Sequence, residues 1–275
     1  MKYIFLNLKR FDIPRAMGGI SDCGEAAKWS HGIMNGIDEG IMKYHDISLA
    51  AFLPEAHLLG AMTERSQASL IQIGCQSVHC SDVGQNGNFG AFTTGRTARS
   101  MKALGCTWTM VGHSEERRDL LHIIGYGTSV RYEAVSEILN ERVKSADAAG
   151  LRILYCVGET AQEKSRKYEV IRQQIRDGLA GIDLKQVVVA YEPVWAIGPG
   201  MKVPDSDYIR DIATFIKSEV DVPVVYGGGL KEGNAGMLAG IAEVDGGLIG
   251  LTRFSGDIGF YPDECLRIID AYLLP

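Results

Sequence analysis

Short apolar runs rich in Val, Ile, Leu and Tyr alternate along the chain with longer amphipathic stretches. Runs at Tyr3–Leu8, Ile47–Leu53, Leu70–Ser77, Thr107–Gly112, Arg152–Val157, Gln186–Tyr191, Pro223–Gly227 and Gly247–Gly250 read as strands. The stretches Arg131–Ala149, Ala161–Leu179, Asp205–Glu219 and Pro262–Leu273 read as helices. Val135, Ile138, Leu139 and Val143 show the i, i+3, i+4 spacing of a buried stripe. Near-continuous apolar strands that alternate with helices predict a parallel sheet covered by helices. Eight such units predict closure into a barrel, although the eighth strand is diluted by glycine and the first helix is poorly defined. No linker-like shift in composition divides the chain and no internal repeat is visible. Residues 1–275 are therefore expected to form one (β/α)8 domain of the α/β class.

Composition narrows the function. Hydrophobic residues make up 46% of the 275 and charged residues 23%, which describes a globular chain able to bury a large core. The net charge of −6 comes without a concentrated basic stripe, so nucleic acid is not expected as a partner. The first apolar run breaks at Asn7 and resembles neither a leader peptide nor a membrane span, so no membrane association is expected. Cys23, Cys75, Cys80, Cys106, Cys156 and Cys265 show neither CxxC pairs nor a regular framework; a reduced, cytoplasmic protein is the simplest expectation.

Parallel barrels place chemistry at the carboxyl ends of their strands, so the polar residues there carry the functional information. Asn7 and Lys9 follow the first strand at i, i+2, a spacing that puts both on one side of an extended segment. In a barrel that side is the interior, where a lysine is costly unless it serves an anion; the alternative is a strand end emerging into solvent. His113, Ser114 and Glu115 follow the fourth strand. A histidine there suits a general acid, and the same residues equally suit an ordinary helix start with a capping serine. Glu192 ends a strongly apolar sixth strand and is fixed by Pro193. Apolar surroundings raise a carboxylate towards the range useful for a base. The loop beyond it carries two prolines, an aromatic residue, small residues and glycines, the composition of a lid. Glycines after strand seven (Gly227, Gly228, Gly229) and around strand eight (Gly246, Gly247, Gly250) would let backbone N–H groups approach an anion.

Together these segments resemble the triosephosphate isomerase family over essentially the whole chain. The strings that carry the resemblance are AYEPVWAIG at Ala190–Gly198, VGHSE at Val111–Glu115 and NLK at Asn7–Lys9, with GAFT at Gly90–Thr93, CVGET at Cys156–Thr160 and YGGG at Tyr226–Gly229 in support. The resemblance implies a TIM barrel that interconverts an aldose phosphate and a ketose phosphate, glyceraldehyde 3-phosphate and dihydroxyacetone phosphate in the family, through an enediolate. It implies Glu192 as the base, His113 as a neutral imidazole moving protons between the oxygens, Lys9 as a positive charge and Asn7 as a donor to the substrate. Ser114 would hold Glu192 in its open position and Glu115 would lie near Lys9. The amides of Gly198, Gly229, Gly250 and Leu251 would cradle the phosphate, and closure of Val194–Gly200 would exclude water. No metal or organic cofactor is implied.

The chain also departs from the family pattern. Gly229 replaces the usual serine and so loses a hydroxyl; Leu251 replaces a glycine; Arg253 nearby reads either as a phosphate contact or as a surface ion pair. The loop Val78–Thr97 is long, and the usual GAFTGE becomes Gly90-Ala91-Phe92-Thr93-Thr94-Gly95-Arg96. A homodimer built through this loop is implied, with an altered interface. Glu116 stands as an extra residue before Arg117 and Arg118. A four-carbon ketose phosphate isomerase on the same barrel is the nearest alternative, and a non-catalytic sugar-phosphate-binding protein a further one.

Overall fold

Eight parallel strands pair in sequence order, and the last returns to the first, so the sheet has no free edge. They are β1 (Lys2–Asn7), β2 (Ile47–Leu53), β3 (Ile71–Gln76), β4 (Trp108–Val111), β5 (Arg152–Val157), β6 (Val187–Tyr191), β7 (Val224–Tyr226) and β8 (Gly246–Ile249). Closure is direct: Phe5 of β1 faces Ala50 of β2 on one side and Leu248 of β8 on the other. The computed structural model describes residues 1–66, 68–85, 87–126, 132–198 and 200–274. Arg131, at the start of one expected helix, and Pro199, within the expected lid, lie outside them.

Among the described residues the outer layer is α1 (Trp29–Ile41), α2 (Leu58–Glu64), α3 (Ala98–Ala103), α4 (Ser114–Gly125), α5 (Tyr132–Ala148), α6 (Lys167–Gly178), α7 (Ser206–Glu219), α8 (Glu232–Ala239) and α9 (Pro262–Leu273). The expected helix from Ala161 divides in two: a 3-10 turn over Ala161–Arg166 precedes α6. Thr160 and Glu163 cap that turn reciprocally, fixing the entry of α6. The poorly patterned first helix is regular over Trp29–Ile41, and buries Ile33, Met34, Ile37 and Ile41 at helical spacing.

Strand alternation creates two cores. Tyr3 and Phe5 point inward with Phe52, Trp108, Leu154, Val188 and Leu248, and fill the barrel. Ile4, Leu6, Leu49, Ile153, Val189 and Ile249 point outward under the helices. Inside, Phe5 meets Trp108 edge-on at 5.0 Å, and the Trp108 indole donates to Gln72 Oε1 at 2.9 Å. The barrel is packed, so a ligand is received only at its rim. The same parity carries Asn7 of β1 and Glu192, directly after β6, to the interior side of that rim, two residues beyond Phe5 and Ala190.

Candidate active site

Glu192 leaves β6 in phase with Val188 and Ala190 and is 2% exposed. Two glycines make room for it. A Cβ on Gly158 would stand 1.8 Å from the Glu192 carbonyl oxygen, and a Cβ on Gly227 would stand 2.7 Å from Glu192 Cγ. Its Oε2 accepts the Ser114 backbone N–H at 2.8 Å. Its Oε1 lies 3.1 Å from His113 Nε2, without the alignment of a hydrogen bond and without any other donor. A buried carboxylate oxygen thus faces the site with a free lone pair. Burial pushes the adjacent Cys156 thiol up, and the charge of Glu192 adds to it, which keeps that thiol protonated.

His113 caps α4, and its Nδ1 accepts the Glu115 N–H at 3.3 Å. In the neutral ring that bond leaves the proton on Nε2, the nitrogen facing Glu192. The turn that presents His113 is clamped from both sides. Gly112, at φ 83, donates its N–H to Glu116 Oε2 at 2.6 Å, and its carbonyl accepts Arg117 Nε at 2.8 Å. Arg117 also binds the Cys156 carbonyl at 2.8 Å. Glu116 also bonds to Ser77 and pairs with Arg142. Glu116 is therefore an integral residue of the first turn of α4.

Lys9 differs from the sequence expectation. β1 ends at Asn7, and Lys9 sits beyond it at φ 40, so the two do not share an extended segment. The turn forms because Asn7 Oδ1 accepts the Lys9 N–H at 3.2 Å, a bond an asparagine makes readily with the residue two ahead. Gln76, which ends β3, donates to the Lys9 carbonyl at 3.1 Å and fixes the turn from the opposite side. The Lys9 ammonium donates to Glu115 Oε1 at 2.7 Å. Burial pushes the Glu115 carboxyl up, but the hydrogen bond and charge of Lys9 outweigh it and hold the group below its ordinary value. Asn7, Lys9, His113 and Glu115 line one cavity of about 620 Å³ that runs outwards past Arg96 and Arg142.

The loop after Glu192 begins with a 3-10 turn over Val194–Ala196. The Trp195 indole donates to Glu159 Oε1 at 2.7 Å, and the same oxygen accepts Tyr208 OH at 2.9 Å and Tyr191 OH at 3.1 Å. Fully buried Glu159 therefore ties the start of the loop to α7. Gly198 and Gly200 have φ values of 124 and 76, which only glycine adopts without strain. In the neighbouring loops after β7 and β8, Gly229 has φ 97, and open space lies beside Gly250 where a side chain would project. Leu251 is half-buried. Arg253 is engaged by Glu264 at 2.8 Å and lies over the Tyr261 ring, so of its two readings the ion pair is the one present.

Gln76, Arg117 and Glu159 also position this constellation and were given no role from the sequence, and Glu116 was noted there only as an extra residue. For Gln76 and Glu159 the available signal was placement, a polar residue closing or just following an apolar strand.

At the carboxyl end of a parallel barrel, an imidazole and an ammonium line one cleft, and a buried carboxylate lies 3.1 Å behind the imidazole, a set of groups suited to the proton transfers of an aldose–ketose isomerase. A family model described as triosephosphate isomerase matches residues 24–258. A Synechococcus sp. (strain RCC307) triosephosphate isomerase is 35% identical over 209 residues, covering 74% of this chain and 75% of the relative. That of Chlorobium phaeobacteroides (strain BS1) is 31% identical over 246 residues, covering 85% and 89%. The crystal structure of triosephosphate isomerase from Bartonella henselae superposes with a TM-score of 0.71 at 26% identity, covering 98% of both chains. The chain belongs to the triosephosphate isomerase family.

Proposed function

We propose that this enzyme interconverts glyceraldehyde 3-phosphate and dihydroxyacetone phosphate, with Glu192 moving a proton between adjacent carbons. The observation that carries this is the buried carboxylate of Glu192, its Oε1 without a donor and 3.1 Å from His113 Nε2. A carbonyl seated between these groups would lose its α-proton to Glu192 while His113 Nε2–H donates to the oxygen that gains charge. Lys9 would add positive charge to that developing oxyanion, and Asn7, which shapes the Lys9 turn, would bond a substrate oxygen. The Ser114 amide would hold Glu192 withdrawn until closure, a role taken by its backbone rather than its hydroxyl. Glu115 would keep the Lys9 ammonium aimed. Amides of Gly198, Gly229, Gly250 and Leu251 would grip the phosphate, and closure of 194–200 would expel water that otherwise promotes loss of phosphate from the enediolate.

A homodimer built through the 78–97 loop is part of the same reading. Phe89 stands 90% exposed at φ 52 on that loop, and the outer half of the cavity, beside Leu120 and Ile123, offers a partly apolar receptor. A cytoplasmic enzyme of glycolysis and gluconeogenesis is the physiological setting, supported by six free cysteines.

A coupled assay comparing glyceraldehyde 3-phosphate with four-carbon ketose phosphates tests the substrate. The expected result is preference for the triose; equal or better turnover of a four-carbon sugar would overturn it.

A further inference from the structure

Lys231 stands two residues beyond Gly229, at the position preceding α8. Its side chain folds back over the rim. Its Nζ lies 4.0 Å from the centre of the Phe254 ring, and its Cε lies 3.6 Å from where a Cβ on Gly229 would stand. It therefore bridges the loop after β7 and the loop after β8, the two elements that carry Gly229, Gly250 and Leu251. Lys231 is half-buried and has no ion-pair partner among the described residues. Burial alone acts on its ammonium, lowering it from its ordinary value. Arg253, in the loop after β8, is already held by Glu264. A half-desolvated, unpaired ammonium is an unfavourable arrangement that an incoming anion relieves, and the Phe254 ring face supports the cation until then.

The position beside Gly229 is also where the usual serine would project its hydroxyl. We propose that Lys231 binds the phosphate of the substrate, supplying the donor that Gly229 lacks. The proposal rests on the reading of Gly229, Gly250 and Leu251 as the phosphate end. An ammonium donor differs from a hydroxyl in adding charge, so it would favour the dianionic form of the phosphate.

The test uses the full chain with Lys231→Met and Lys231→Arg, titrated with inorganic phosphate by calorimetry and assayed with glyceraldehyde 3-phosphate and with unphosphorylated glyceraldehyde. Loss of a charge-assisted contact should weaken phosphate binding and raise KM about tenfold or more in Lys231→Met. Lys231→Arg should recover most of the loss, and the slow turnover of unphosphorylated glyceraldehyde should be unchanged in both variants. A phosphate Kd for Lys231→Met within about twofold of the parent value would overturn the proposal, since no contact of this strength would then exist. The titration needs no turnover. A parent chain that binds phosphate but isomerises nothing would count against the isomerase reading alone, leaving Lys231 to be judged by the Kd.

Discussion

Lys9 and Glu115 show how single residues tune this site. The pair is partly exposed, so its worth lies in aiming the ammonium more than in bulk stability. The sign of its pH dependence follows from the lowered carboxyl. Its contribution is complete above the value Glu115 has in the unfolded chain and disappears as pH falls through the lower folded value. Urea unfolding across pH should therefore show a gap between parent and Glu115→Gln that is constant above about pH 5 and narrows towards about pH 3. His113 makes a second prediction. Replacing it by Gln removes the N–H aimed at the developing charge, so kcat should fall about 10²–10³-fold in steady-state assays while the fold remains intact by circular dichroism. Lys9 and His113 stood out in the sequence because each closely follows an apolar strand, whereas Glu115 entered through the family resemblance. Their relations were not visible there. The clamp of Glu116 and Arg117 on Gly112 depends on a backbone turn that no periodicity announces, and Lys9 proved to sit on a strained turn rather than on a strand.

At the level of the elements, the strands were legible to within one or two residues because parallel barrel strands are buried on both faces and read as unbroken apolar runs. The helices were harder. α2, α3 and α8 are six to eight residues long, too short to establish a 3.6-residue stripe. The loop between β1 and α1 carries two 3-10 turns and is braced by tertiary contacts instead: Arg15 binds Asp22 at 2.6 Å and reaches the Ile258 carbonyl at 3.2 Å. A contact as distant in sequence as that of Arg15 with Ile258 leaves no local pattern. Where elements meet most closely, space is the controlling quantity. Gly158, just beyond β5, leaves no room for a methyl beside the Glu192 backbone. Gly158→Ala should thus cost about 1–3 kcal/mol in denaturant unfolding and displace the base, with a loss of kcat larger than the loss of stability would explain. Phe5→Ala, which empties part of the barrel interior, should cost about 3–5 kcal/mol with KM little changed.

For the whole molecule, the closed barrel is the frame from whose strand ends the site residues and loops project. The family model begins at residue 24, so Asn7 and Lys9 precede the matched segment and take their place in the site from strand parity and the turn they form. The 78–97 loop is where we propose that the homodimer forms. Phe89→Glu should shift the mass measured by light scattering from dimer to monomer, and should lower kcat as the adjoining wall of the site loosens. The most direct test of the chemistry is Glu192→Gln, which preserves the shape and the acceptor for the Ser114 amide but cannot take a proton. Turnover of glyceraldehyde 3-phosphate should fall by about 10³-fold or more with phosphate affinity unchanged. Turnover within about tenfold of the parent would contradict the assignment of Glu192 as the base.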